Sequence, residues 1–165
     1  MRFQELGYEI RRARLAQGLT QAQLAREAKL SRTTLNQFEN GLFSDLGVRK
    51  VQAILENLGL GLSVQQVSKV LQPDFIRMAC TTANVSYKDT LTEDELVYAL
   101  LTGKVAVKKR PHFRTILDEA SPILLKGLIQ EVSRWTKPGR VEKNLARIAE
   151  KIGSSRRIGK WTTTA

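Results

Sequence analysis

The stretch LTQAQLAREAKLSRTTLNQFENG, residues 19–41, reads as two short helices joined by a tight turn. Thr20 is placed to cap the first, its hydroxyl accepting from the orphaned backbone N–H groups of the next turn, and Leu24, Ala25 and Ala28 then recur on one face. Ser31 is placed to cap the second. Leu35 and Phe38, three residues apart, give the second helix an apolar side, which leaves Arg32, Thr33, Thr34, Asn36 and Gln37 on faces free to meet something else. The charge of the chain says what that partner is. Its 165 residues carry 27 Lys and Arg against 16 Asp and Glu, a formal net charge of +11, and a polyanion is the usual partner for such a balance. The surplus is spread along the chain: 10 basic and 6 acidic residues up to Gln72, and 17 and 10 after it.

The segment resembles the lambda-repressor-like, or Xre-type, helix-turn-helix family, through Thr20-Gln21, the small Ala25 at the helix contact, Ser31 and the closing Glu39-Asn40-Gly41. A small residue at position 25 lets the two helices cross closely, so that the second projects far enough to enter a major groove about 12 Å wide. The resemblance implies base-edge contacts from Arg32, Thr33 and Gln37, with Thr34 and Asn36 at the margin, and phosphate contacts from Gln21 and Asn40. Arginine pairs bidentately with guanine and glutamine with adenine, each good pair contributing about 1–3 kcal/mol of discrimination, so Arg32 and Gln37 are the principal specificity residues expected. It also implies a partly buried ion pair between Arg14 and Glu39; the residues by themselves leave open that Arg14 meets phosphate instead. One departure stands in the turn. The position often held by glycine in this family is Lys29, which must accept a positive φ at a cost on the order of 1 kcal/mol.

Outward from this stretch, residues 3–17 read as a first helix with Leu6, Ile10 and Ala13 on one face, ended by Gly18. Val48 to Leu58 read as a fourth, with Val48, Val51, Ile54, Leu55 and Leu58 as its core stripe and Arg49 and Lys50 either solvated or on phosphate. Leu60 to Val64 then alternate apolar with small or polar residues, which predicts a short strand. A lone strand needs a partner, and this ending resembles the HipB-like antitoxin branch of the family, in which such a strand pairs across a dimer. The expected organisation is a helix-turn-helix DNA-binding domain over 1–64, a linker over 65–73, a helical domain over 74–153 and a basic disordered tail over 154–165. The fold class expected is mainly α, a lambda-repressor-like bundle with one short β-strand followed by a small helical domain.

Punctuation in the second region is clear. Asp74 precedes Phe75, Ile76 and Ala79. Thr92 with Glu95 makes a capping box before Leu96, Ala99 and Leu100, and Gly103 stops that run. Pro111 opens Phe113, Ile116 and Leu117, and Ser121-Pro122 starts the most apolar run, Leu124 to Trp135, broken by Pro138. Val141, Leu145, Ile148 and Ile152 make a last amphipathic helix ending at Gly153. The segment from Lys104 to Arg114 is a basic loop with one aromatic, read either as solvated or as an auxiliary phosphate contact.

Catalytic chemistry has little to work with. There is one His and one Cys, so no zinc site can be assembled from them, and no motif places His112 or Cys80 beside a nucleophile or base. Cys80 sits in an apolar run as a small core residue, with a redox switch as the alternative. No enzyme activity, metal or cofactor is expected. No apolar run reaches the ~20 residues that span a bilayer, no signal-peptide core opens the chain, and a lone thiol suits a reducing compartment, so a cytoplasmic protein is expected. The function expected is a sequence-specific repressor that binds double-stranded DNA as a homodimer on an inverted repeat. The alternative is an antitoxin that holds a toxin protein through its C-terminal domain; a ligand-sensing repressor is a third option.

Overall fold

The computed structural model describes residues 2–42, 45–64 and 73–154. The chain divides into two compact units, Met1–Leu71 and Gln72–Ala165.

The first unit has four helices among its described residues: α1 (Phe3–Ala16), α2 (Gln21–Glu27), α3 (Arg32–Glu39) and α4 (Val48–Asn57). Thr20 caps α2 in a reciprocal box, its hydroxyl accepting from the Gln23 N–H while the Gln23 side chain accepts from the Thr20 N–H. The Ser31 hydroxyl accepts from the Thr34 N–H at 2.9 Å and so starts α3. All four helices stop in the same way. The residue one past the cap turns to positive φ (Gly18, Lys29, Gly41, Gly59), and the following N–H returns to the carbonyl five residues back: Leu19 to Arg14, Leu30 to Ala25, Leu42 to Gln37, Leu60 to Leu55. Lys29, at φ 55°, takes the left-handed conformation with a side chain where the other three have glycine.

This device also corrects the expected strand. Leu60 is spent closing α4, and residues 61–64 run on with no strand pairing; no strand is present among the described residues. Alternation supplies a face but not a partner, and among the described residues no second edge is offered to it. Leu62 and Val64 are exposed.

Ile10, Leu24, Leu35, Phe38 and Ile54 are fully buried and form the centre of the first unit's core, with Leu46 from the loop before α4 beside them. α1 and α3 meet backbone to backbone at Gly7, where a Cβ would stand 2.2 Å from the Phe38 carbonyl oxygen. Only a residue without a side chain allows that approach.

The second unit has five helices among its described residues: α5 (Phe75–Asn84), α6 (Glu93–Thr102), α7 (Arg110–Glu119), α8 (Pro122–Ser133) and α9 (Arg140–Ile152). Asp74, Thr92 and Ser121 accept from the N–H groups of Arg77, Glu95 and Leu124 and start α5, α6 and α8. Gly103 and Gly153 close α6 and α9 in the left-handed conformation. α8 stops at Ser133, five residues short of Pro138, and Trp135 lies just beyond it, half-buried against the core. The core is aliphatic, centred on Ile76, Leu96, Leu100, Leu117, Leu128 and Val132. Cys80 is buried within it.

The segment Lys104–Arg114, expected as a loop, is irregular only as far as Ala106. Val107–Lys109 form a 3₁₀ turn that runs directly into α7, and His112 and Phe113 are buried. Proline at the second position of α7 suits a helix start, and the apolar face of 113, 116 and 117 draws the preceding basic residues into helical register. Lys109 turns inward: its Nζ donates to the Thr90 carbonyl at 2.6 Å and lies 3.1 Å from Asp89 and 3.4 Å from Glu95. His112 Nε2 meets the Asp89 carbonyl and therefore donates to it, and the Asn84 amide bonds both main-chain groups of Leu91. Residues 85–91 are thereby pinned from α5 and α7.

The bond from Lys109 holds the Asp89 carboxyl below its ordinary range. Burial pulls Lys109 down, but its bonds to Asp89 and Glu95 leave it raised. A depressed carboxylate contributes stability above its unfolded value of about 3.9 and loses it as pH falls through the folded value; a raised lysine loses its contribution only as pH rises past about 10.4. Lys109→Met is accordingly expected to destabilise the second unit between these limits, with the gap from the parent narrowing below about pH 4. Urea titration followed by tryptophan fluorescence reads this, because Trp135 packs against the core of that unit.

Gly7→Ala is expected to destabilise the first unit by about 1–2 kcal/mol, since overpacking against backbone outweighs the better helix propensity of alanine. Gly61→Ala, with nothing within 4 Å of the added Cβ, serves as the control. Hydrogen exchange of the α1 and α3 amides is the measurement, and equal exchange in the two variants would refute the close approach.

Candidate nucleic-acid interface

α3 is short, and each of its faces has a separate task. Leu35, Phe38 and Glu39 are buried, while Arg32, Thr33, Asn36 and Gln37 are exposed. The orientation is set at the C-terminal end, where Glu39 is withdrawn completely from solvent. Arg14 of α1 grips it with two parallel bonds, Nε to Oε1 at 2.6 Å and Nη2 to Oε2 at 2.8 Å, and donates its third group to the Leu19 carbonyl at 2.6 Å. Gln21, first residue of α2, donates to Glu39 Oε2 at 2.8 Å and accepts from the Asn36 amide at 3.2 Å. One carboxylate thus ties α1, α2 and α3 together, and a fork of this geometry is the strong form of ion pair.

The electrostatic result matters as much as the mechanical one. The only acidic residue of α3 is neutralised inside, so the exposed side of this helix carries Arg32 and neutral amides and hydroxyls. Beside it runs an open groove of about 620 Å³ between α1, the start of α2 and α3. Arg11, Arg14, Arg32, Gln21, Asn36 and Asn40 line it, and no carboxylate does. Such a surface offers N–H donors and positive charge to an anion.

Of the residues singled out in the sequence, Gln21, Arg32, Asn36 and Asn40 come together on this groove. Thr33 and Gln37 are exposed on α3 but do not line it. Thr34 is half-buried, its hydroxyl 2.8 Å from that of Ser31, and so belongs to the helix cap. The Asn40 side chain donates to the Asn36 carbonyl at 2.7 Å. Arg11 was missed. It precedes Arg14 by three residues and hence shares its face of α1, a spacing that identifies it once Arg14 is placed. Arg49 and Lys50 are exposed at the start of α4.

Residues 10–65 match the family model described as Helix-turn-helix. This part of the chain is a DNA-binding helix-turn-helix domain. The match covers a third of the chain and includes α2, the Lys29 turn and α3 in full, and it marks a DNA-binding regulator of transcription. No curated protein and no solved structure matches the chain. Among the described residues there is no cluster of three or more His, Cys, Asp or Glu able to hold a metal ion, and no helix long and apolar enough to cross a membrane.

Removing one partner of a buried pair leaves an uncompensated charge, which costs about 3–5 kcal/mol. Arg14→Met is expected to lose that much stability in the first unit, and the double variant Arg14→Met with Glu39→Leu to recover a large part of it, read by hydrogen exchange of the α3 amides. Equal losses in the single and double variants would show that the pair does not act as a unit.

Proposed function

We propose that the protein is a sequence-specific repressor that binds double-stranded DNA as a homodimer, with α3 entering the major groove. The single observation that carries this reading is the exposed row Arg32, Thr33, Asn36 and Gln37 on a helix whose carboxylate is locked inside. Arg32 and Gln37 read base edges by bidentate bonds, with Thr33 beside them and Thr34 and Asn36 at the margin. Gln21 and Asn40 meet phosphate, each amide having two N–H groups and using one internally. Arg11, on the same groove, adds a charged phosphate contact. Two copies about 34–36 Å apart would read an inverted repeat. Leu60, Leu62 and Val64, exposed together at the end of the first unit, favour a second copy as what covers them.

The second reading, an antitoxin of the HipB-like branch that autoregulates its promoter, is favoured by the second unit having a full core of its own, which reading DNA does not require. Purification of the native complex separates the two: a stoichiometric small protein at the second unit supports the antitoxin, and its absence the simple repressor.

The base-reading assignment is tested on a selected operator and its single-base variants. Arg32→Ala is expected to flatten preference at one position of each half-site, a loss of about 1–3 kcal/mol for the best base only. Gln21→Ala should weaken all sequences alike, and Arg11→Ala should in addition lower the slope of log affinity against log salt by about one. An unchanged base preference in Arg32→Ala would remove that residue from the interface.

A further inference from the structure

The second unit carries a cleft of about 190 Å³ where the end of α6, the stretch before the 3₁₀ turn, the start of α7 and the last turns of α9 meet. Its floor is aliphatic, made of Val105, Ile148 and Ile152, and Gly103 completes the wall. Its rim is cationic: Lys104, Arg110 and Lys151 are all exposed, and no carboxylate lines the cleft. Neighbouring cations have internal work to do. Lys109 is engaged with Asp89 and Glu95, Arg114 lies 3.6 Å from Asp118, and Arg147 donates to the Thr102 carbonyl. Among the described residues no ion pair engages Lys104, Arg110 or Lys151.

We infer that this cleft is a docking site for an acidic peptide segment of a partner protein, one apolar side chain seated on Val105, Ile148 and Ile152 and its flanking carboxylates on Lys104, Arg110 and Lys151. Size and lining select this occupant. Small-molecule pockets run to about 300–1,000 Å³ and hold a few convergent buried polar groups, whereas this cleft is smaller and its polar groups all stand at the rim in solvent. An apolar seat ringed by exposed charge is the anatomy of a protein interface anchor. Duplex DNA would satisfy the rim but brings no side chain for the floor, which would stay wet. The site is independent of α3, so the chain can hold a polyanionic duplex through one unit and an acidic protein through the other.

The test uses the full chain and a fluorescein-labelled peptide, Gly-Glu-Asp-Glu-Leu-Glu-Asp-Glu-Gly. Anisotropy is expected to rise saturably. Replacing the peptide leucine by alanine should weaken binding about tenfold, the effect of losing a buried aliphatic side chain. The double variant Lys104→Glu with Arg110→Glu, at exposed positions outside the core, should weaken it about tenfold or more while circular dichroism and binding of a random-sequence duplex stay unchanged. Three results each overturn the inference: no saturation below about 1 mM peptide, equal binding of the alanine peptide, or a loss of duplex binding in the double variant as large as its loss of peptide binding. The last would make the cleft a phosphate contact. Failure of operator binding in Arg32→Ala leaves this test untouched, since the two sites share no residue.

Discussion

A carboxylate with no exposure to solvent, at the last turn of a helix, is a costly thing to build, and the first unit is arranged around making it tolerable. Glu39 is bonded by both oxygens to Arg14 and by one of them to Gln21 as well. Burying such a pair does not by itself make a protein more stable than a well-packed apolar pair would. What it does is forbid alternatives, because any rotation or slip of α3 would leave two charges without partners in the interior. The approach of α1 to α3 at Gly7 and the capped start at Ser31 act in the same direction. The exposed row of α3 is therefore presented at a fixed angle before any ligand arrives, and a prearranged surface loses less ordering entropy on binding.

How much of this was legible beforehand depended on the range of the interaction. Caps were readable because their partners lie three residues away: Thr20 with Gln23, Ser31 with Thr34 and Thr92 with Glu95 all form. Helix ends were readable where glycine marks them, and the left-handed Lys29 was readable from a resemblance that places glycine there. The strand at 60–64 misled because alternation describes only one side of a sheet, while Gly59 had already committed Leu60 to closing α4. Gly7 gave no signal, since a glycine inside a helical pattern looks like a weak helix former until the Phe38 carbonyl is seen against it. In the basic run at 104–114 the helix behind Pro111 was legible from Phe113, Ile116 and Leu117, whereas the 3₁₀ turn of Val107–Lys109 that leads into it carries no apolar stripe to announce it. The cleft of the second unit was out of reach altogether, being assembled from residues up to 49 apart in sequence.

The second unit adds a point about how small helical domains satisfy their backbone. The last carbonyls of α6 are served by side chains from α9: the Asn144 amide donates to Leu100 and the Arg147 guanidinium to Thr102, while Arg147 also bonds Asn144. A cation at the C-terminal end of a helix opposes the partial negative charge there. Gly103 is favoured at that point by its φ of 69°, and the Arg147 guanidinium lies in the space a Cβ would take. Gly127 lets the Phe75 ring lie against α8, where a Cβ would approach it to 2.4 Å. Buried polar groups that find partners in this way define one arrangement of an otherwise aliphatic core.

On α3, the side chains that hold the helix in place and those that face outward are almost disjoint sets. Leu35, Phe38 and Glu39 fasten; Arg32, Thr33 and Gln37 touch nothing that the fold requires. On the exposed row only Asn36 belongs to both, through its bond to Gln21, while the half-buried Thr34 is tied to the cap by Ser31. Under the reading proposed for α3, substitutions at 32, 33 and 37 can therefore accumulate without the bundle registering them, so that the preferred target would drift over generations while the scaffold stays constant. Position 36 is the one place on that row where a change would also carry a mechanical cost.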